Sequence, residues 1–288
     1  MSIHIPVLPA PILEHLDIQP GQTIIDGTFG GGGHSKLFSE KVGPTGHVIG
    51  FDRDPSAIAA AESWAPDNMT LVAANYADIP EHLVAMNIES VDAVLLDLGL
   101  SSDQLDDHNR GFSFHAEGPL DLRFNREAGE PAWRLVNRLG EKHLADLIYE
   151  FGEERFSRRI ARKIVKVRHS DPIKTATQLA DLVRSCVPRS RNHSIDPATR
   201  TFQALRIGVN EELKWLKVAV KRLPNVLDVG GKLAIISFHS LEDRMVKHGF
   251  NGNDDLQVMT KKPIVADEQE QDENPRSRSA RLRIGVRV

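Results

Sequence analysis

TIIDGTFGGGGHS, residues 23–35, joins a short apolar run ending on Asp26 to four consecutive glycines, Gly30 to Gly33. Only glycine lets a backbone turn this tightly and approach a ligand closely, and a helix starting directly afterwards offers its free N–H groups at the same point. Strand, glycine loop and helix in this order suit a nucleotide-like ligand. The spacing disfavours two common ones. Counted from Gly30, the GxGxxG pattern of dinucleotide sites meets Ser35 where a glycine is needed, and no GxxxxGK[ST] phosphate loop occurs.

The same alternation continues outward. HVIGFD (47–52) ends on Asp52, MTLVAANY (69–76) is a third apolar run, and SVDAVLLDLGL (90–100) a fourth that carries Asp97 near its end. Between them HSKLFSEKV (34–42) and PSAIAAAESWA (55–65) have helical character, which gives the βαβ pattern of an α/β protein with a parallel sheet covered on both faces. Carboxylates at the ends of such strands mark the edge where open sheets bind ligands. After Ser102 the pattern changes. Residues 103–130 are rich in Gly, Asp and Phe and predict a structured loop, residues 131–187 predict helices, and 201–223 repeat apolar residues at helical spacing. GGKLAIISFHS (230–240) predicts a fifth strand and SARLRIGVRV (279–288) a sixth, while the polar stretch 251–275 predicts a mobile surface loop. The expected organisation is a sheet domain of residues 1–105 and 201–288 carrying an inserted, mainly helical domain of residues 106–200.

Composition narrows the classes further. The chain has 288 residues, 40% apolar and 26% charged, with a single cysteine, Cys186, so no internal disulfide forms. No window approaches the roughly 18 consecutive apolar residues of a membrane span. The start, MSIHIPVLPAPILEHL, lacks the basic and apolar regions of a signal peptide, and a cytoplasmic protein that does not contact membranes is expected. Twelve scattered histidines include no HxxxH pair, and no metal is expected. The net charge of −4 conceals segregation: residues 1–100 carry 3 Lys+Arg against 13 Asp+Glu, whereas residues 151–200 carry 12 against 5. A basic module sits within an acidic frame.

The glycine loop resembles that of Rossmann-like methyltransferases that bind S-adenosyl-L-methionine. Asp26, Gly30 and Gly32 match it, and Thr28 replaces the usual first glycine. Nearly the whole chain, in order, resembles the ribosomal RNA small subunit methyltransferase H family, through DGTFGGGGHS (26–35), DRDP (52–55), LLDLGLSSDQLDD (95–107), RGFSFHAEGPLDLR (110–123), GEERFSRRIARKIV (152–165), HSIDPATRTFQALRIGVNEEL (193–213), SFHSLEDRMVK (237–247) and ENPRSRSARLR (273–283). The stretch 251–272 departs from the family by being shorter. The resemblance implies a class I methyltransferase sheet and transfer of a methyl group from S-adenosyl-L-methionine to the exocyclic N4 of a cytidine in the decoding centre of 16S ribosomal RNA. It also implies cofactor contacts at Gly32, Gly33, His34, Asp52, Tyr76, Asp97 and Gln104.

A cytosine N4 lone pair is delocalised into the ring until acceptors draw on its N–H groups. Asp97 at the fourth strand's end is the candidate catalytic acceptor, although Leu98, Gly99 and Leu100 replace the rest of the DPPY-like motif of many amino-group methyltransferases. Attack at C5 would need a thiol, and Cys186 lies in the helical insert, far from any strand end. Phe112, Phe114 or Phe238 could stack on a base taken out of its helix, though ordinary core packing is the better explanation for any one of them. Arg155, Arg159, Arg162 and Lys166 recur at helical spacing opposite Phe156, Ile160 and Ile164 and are the expected contacts to small subunit ribosomal RNA. Arg189, Arg191 and Arg200 are nearby in sequence, and the tail carries Arg276, Arg278 and Arg281. A small-molecule methyltransferase would leave this basic face without purpose, and a nonenzymatic RNA-binding module would leave the glycine loop unexplained. The sequence leaves open a homo-oligomer and whether naked RNA or an assembled or assembling subunit is the substrate.

Overall fold

A computed structural model describes residues 5–113, 118–188 and 196–288. In chain order its elements are α1 (Pro9–Leu16), β1 (Thr23–Asp26), α2 (Gly33–Val42), β2 (His47–Asp52), α3 (Pro55–Ala61), β3 (Met69–Ala73), α4 (Ile79–Ala85) and β4 (Val91–Asp97). There follow α5 (Ser102–Asp106), α6 (Ala132–Arg138), α7 (Glu141–Gly152), α8 (Ser157–Arg168), α9 (Ala176–Cys186) and α10 (Thr199–Asn210). The chain ends with α11 (Glu212–Arg222), β5 (Leu227–Ser237), α12 (Ser240–Asn251), β6 (Leu256–Val258), α13 (Glu268–Glu273) and β7 (Arg281–Arg287). Contacts divide it into two compact units, Met1–Ser101 with Leu213–Val288, and Ser102–Glu212. No helix among the described residues is long and apolar enough to cross a membrane.

The first unit is a Rossmann-like α/β fold around a seven-stranded sheet of order β3-β2-β1-β4-β5-β7-β6. Successive residues of a strand point to opposite faces, and the sequence obeys that rule. Ile25, Ile49 and Leu96 pack with Ile79 and Leu83 of α4, Leu216 and Val220 of α11, and Val246 and Phe250 of α12. Their neighbours Ile24, Val48 and Leu95 pack on the other face with Ile12 of α1, Phe38 of α2 and Ile58 of α3. Each such buried side chain contributes about 1.5–3 kcal/mol relative to exposure. The order reverses where β4 pairs with β1 rather than with β3, which creates the crevice at strand C-termini where α/β sheets take ligands.

Three expectations need correction. β3, β2, β1, β4 and β5 are parallel, but β7 runs antiparallel between β5 and β6, so the sheet is mixed at one edge and the closing strand is the seventh, not the sixth. The stretch 251–275 is not a featureless loop: it holds β6 and α13, buries Ala266, and pairs Ile264 with Leu282 through two 2.9 Å backbone bonds. The apolar repeat of 201–223 is two helices, broken at Glu211, whose φ is +52°. α10 thereby belongs to the inserted unit, which runs from Ser102 to Glu212 rather than from 106 to 200.

The inserted unit is helical. α7 packs against α8 and α10, and α8 against α9, around Leu144, Ile148, Ile160, Ile164, Leu179, Val183 and Leu205. A Cβ on Gly152 would stand 2.5 Å from the Arg200 carbonyl oxygen, so α7 and α10 approach each other at backbone distance. The segment before α6 is ordered by side chains that meet backbone: the Asn210 amide donates to Leu122 O at 2.7 Å and accepts from Phe124 N–H at 2.8 Å.

Candidate active site

Three carboxylates end three neighbouring strands at one edge of the sheet: Asp52 on β2, Asp26 on β1 and Asp97 on β4. The glycine loop between β1 and α2 is stitched to all three. Gly30 N–H donates to Asp52 Oδ2 at 2.7 Å, and the Thr28 hydroxyl oxygen accepts the Asp97 N–H at 2.5 Å. Asp26 receives Thr28 N–H on one oxygen at 3.2 Å and the Ser35 hydroxyl on the other at 2.7 Å, so it closes the loop on itself. Thr28, the departure from the usual glycine spacing, therefore acts as a tie from β1 to β4. Sequence reasoning missed this tie and the one from Ser35. For Ser35 the available signal was the requirement that a buried carboxylate find donors, since its hydroxyl follows Asp26 by nine residues; for the Thr28 hydroxyl, which accepts a backbone N–H from a distant strand, the sequence carried no signal.

Gly32 precedes α2 with φ +74°, and a Cβ there would lie 2.4 Å from the Trp64 ring. Glycine is required at this position on both counts. Trp64 stacks on Phe29 at 5.8 Å, and the Lys36 ammonium lies 3.8 Å from its ring centre, so the surface against Gly32 is itself held. Gly33 then begins the helix.

The carboxylates differ in environment. Burial pushes the pKa of Asp26 up, against the neighbouring His34, the Ser35 hydroxyl and Thr28 N–H, which pull it down. Asp52 keeps part of its surface in water and accepts two backbone N–H groups, from Gly30 and from Asp54 at 2.8 Å, yet desolvation pushes it up to about 6. A carboxylate has about four acceptor sites, so two remain.

His34 lies in the first turn of α2, 4% exposed, its ring stacked on Phe38 at 6.1 Å. Its Nε2 faces Asp97 Oδ2 at 3.6 Å, too far for a hydrogen bond. Neither His34 ring nitrogen has a hydrogen-bond partner among the described residues, nor does Asp97 Oδ1. Buried polar groups in this state need a partner that the described residues do not supply, a bound ligand or a water. Tyr76 does not end the third strand. It opens a single turn capped by Asn75, three residues beyond Ala73, and its side chain is buried beside Ile79 and Leu96. A Cβ on Gly27 would stand 3.2 Å from Tyr76 Cβ, so Tyr76 borders the start of the loop. Gln104 is buried on α5 of the inserted unit.

The model of the MraW methylase family matches residues 1–288. The chain belongs to the MraW methylase family. Proteins named ribosomal RNA small subunit methyltransferase H resemble this family member along their length. The one from Rhodopirellula baltica is 48% identical, over 99% of this chain and 91% of its own. That from Deinococcus radiodurans is 50% identical over 99% and 90%, and that from Trichlorobacter lovleyi 44% over 99% and 98%.

In this MraW methylase, α8 carries the basic surface. Ile160, Ala161 and Ile164 are buried, and Arg159, Arg162 and Lys166 are exposed, with Arg162 3.4 Å from Glu141. Arg155 precedes the helix and lies over the Phe156 ring at 4.7 Å. Arg158 and Lys163, not singled out from sequence, are exposed on the same side, and at about 100° per residue the five helical cations span an arc of roughly 140°. Arg168 turns inward to the carbonyl oxygens of Val136 and Leu139, and burial pulls its pKa down. Arg200 is exposed and donates to Glu153 O. Phe112 is buried on Phe124, as a core residue, and Phe238 lies against Gly99. Phe114, Arg189 and Arg191 fall outside the described residues. Cys186 is buried in α9.

Proposed function

We propose that this chain transfers a methyl group from S-adenosyl-L-methionine to the exocyclic N4 of a cytidine in the decoding centre of 16S ribosomal RNA, acting in the cytoplasm on the assembled or assembling small subunit. The observation that carries this reading is the pair of buried His34 and half-buried Asp97, with both ring nitrogens and Asp97 Oδ1 lacking hydrogen-bond partners among the described residues, at the sheet edge beside the glycine loop. Their chemistry fits an amino-acid end: a carboxylate for an ammonium, and a ring N–H for a carboxylate. Asp52, with its remaining acceptor sites, fits two ribose hydroxyls, and Gly32 and Gly33 let backbone come close. Tyr76 borders the adenosine end.

When bound, the cofactor supplies a methyl group already activated on a sulfonium. The protein's task is then to place the acceptor in line at about 3–3.5 Å and keep water out. Asp97 draws on an N4 hydrogen through an oxygen and so favours the pyramidal nitrogen that can attack. Arg155, Arg159, Arg162 and Lys166, joined by Arg158 and Lys163, hold phosphates of the RNA.

Incubation with labelled S-adenosyl-L-methionine and either small ribosomal subunits or a metabolite pool tests the reading. Label is expected in RNA as N4-methylcytidine by nucleoside mass spectrometry, and Asp97→Ala should lower the rate by about a hundredfold or more. Label as 5-methylcytidine, or in small molecules alone, would reject it.

A further inference from the structure

Much of the stretch 251–275, expected as a mobile surface loop, continues through residues 276–280 as a strap across the sheet unit with fixed anchors. At one end Ile264 pairs with Leu282 of β7. In the middle Glu270 Oε1 accepts the Leu8 N–H at 2.6 Å, and the Asn274 amide donates to Ile5 O at 3.3 Å. Beyond it the half-buried Arg276 donates through its guanidinium to the carbonyl oxygen of Leu100, 176 residues away in sequence. Leu100 belongs to the four-residue turn, 98–101, that follows Asp97.

Every residue of that turn meets a different part of the sheet unit. Leu98 N–H donates to Ile236 O at 3.0 Å, and Asp97 itself is tied to Thr28. Gly99 has φ +108°, and a Cβ there would lie 3.3 Å from the Phe238 ring, so the turn is both left-handed and pressed on an aromatic face. Ser101 Cβ would lie 3.3 Å from a Cβ on Gly30, which places the turn against the glycine loop. The first two residues are fixed by β5 and its end. Leu100 is held by the Arg276 side chain, presented by a strap that is itself anchored to the N-terminal segment.

We infer that Arg276 is a positioning residue: by holding the Leu100 carbonyl it fixes the turn after Asp97 in the shape that presents the target amine to Asp97. This rests on the methyl-transfer reading above for its consequence, but not for the tether itself. Arg276 was expected to join Arg278 and Arg281 as a surface for RNA. The structure gives it an internal partner instead, whereas Arg278 and Arg281 are both exposed, Arg281 at 3.3 Å from Asp243. A guanidinium suits the task because its charge stays fixed and its planar donors define the direction of approach to a carbonyl, which the single ammonium of lysine does not.

The test uses the full chain with Arg276→Gln and Arg276→Lys, and Arg278→Gln for comparison. Amide hydrogen exchange in the free protein should quicken about tenfold or more over residues 98–104 in Arg276→Gln, with exchange in α2 and β5 unchanged. At saturating cofactor and RNA, kcat should fall about tenfold or more while cofactor Kd and RNA KM stay within about twofold, and Arg276→Lys should recover part of the loss. Arg278→Gln should change neither exchange nor kcat. Unchanged exchange in an Arg276→Gln protein that still methylates overturns the tether. Faster exchange with unchanged kcat overturns the positioning role, as does weaker RNA binding with a flatter salt dependence at unchanged kcat, the signature of a phosphate contact. Should Arg276→Gln fail to fold, Arg276→Lys carries the same readouts. Exchange is measured without substrate, so a failed methyl-transfer reading leaves the tether test intact.

Discussion

Asp52 is pulled two ways: burial favours its proton, whereas the ribose hydroxyls proposed to meet it favour its charge. Charge-assisted hydrogen bonds contribute about 1.5–3 kcal/mol each, so Asp52→Ala should weaken cofactor binding at least tenfold by calorimetry, and an unchanged Kd in a folded variant would remove the assignment. With the free carboxyl titrating at about 6, binding must expel a proton at lower pH. Cofactor affinity should therefore weaken by up to about tenfold per unit as pH falls below 6, and proton release should appear in buffers of different ionisation enthalpy. Asp52→Asn should lose this dependence. At Cys186 the expectation runs the other way. The thiol is buried among helices of the inserted unit, so Cys186→Ala should keep its methylation rate, with a stability loss of about 1–2 kcal/mol from the small cavity. A folded but dead Cys186→Ala would argue for thiol chemistry.

At the scale of elements, α8 shows how one helix divides packing from recognition. Its buried stripe of Ile160, Ala161 and Ile164 faces α7 and α9, which leaves the cations unneeded for folding. The pairing of Arg162 with Glu141 is highly exposed and contributes little. Replacing Arg159, Arg162 and Lys166 by Gln should thus leave circular dichroism and cofactor affinity unchanged. Each lost phosphate contact should flatten the slope of log affinity against log salt by about 0.7 for single-stranded and about 0.9 for duplex RNA. An unaltered slope in the folded variant would make the helix a solvated scaffold. Adding Arg158→Gln and Lys163→Gln should extend the effect, since both lie on the same arc. The neighbouring α9 is set by a capping box, with Thr175 accepting from Gln178 N–H and Gln178 reaching back to Thr175 N–H. Thr175→Ala should cost about 1 kcal/mol in chemical denaturation.

For the molecule as a whole, the buried carboxylates make stability depend on pH in an uncommon direction. Asp52 ionises near 3.8 in an unfolded chain but at about 6 when folded, and Asp26 is shifted the same way. Between those values the native state holds more protons than the unfolded one, so this contribution is full below about 3.8 and is lost as pH rises through about 6. Asp243 has the opposite sign. Burial raises it, but the Arg283 guanidinium at 2.6 Å and Arg281 together hold it below 3.8, and its contribution is lost only in stronger acid. The cofactor-free protein should therefore show a Tm that falls between pH 5 and about 7, with a smaller fall in Asp52→Asn. An equal fall in both would assign the effect to other groups.

The sequence by itself determined the alternation of strands and helices, the glycine loop, the three strand-end aspartates and the basic face of α8. These are local matters: side chains alternate along a strand with period two, cations recur along a helix, and only glycine suits the backbone at Gly32. It also carried, through the resemblance of nearly its whole length, the family. Tertiary structure alone decided that β4 lies beside β1, which sets Asp97 against His34 and ties it to Thr28 across 69 residues. It likewise inserted β7 antiparallel between β5 and β6, ended α10 at a left-handed Glu211, and turned a polar stretch into a strap reaching from β7 to Leu100. A pattern of residue types records what each segment can bury or bond, but not which distant segment supplies the partner. That choice follows from packing both faces of one sheet at once and satisfying the polar groups left at its edge.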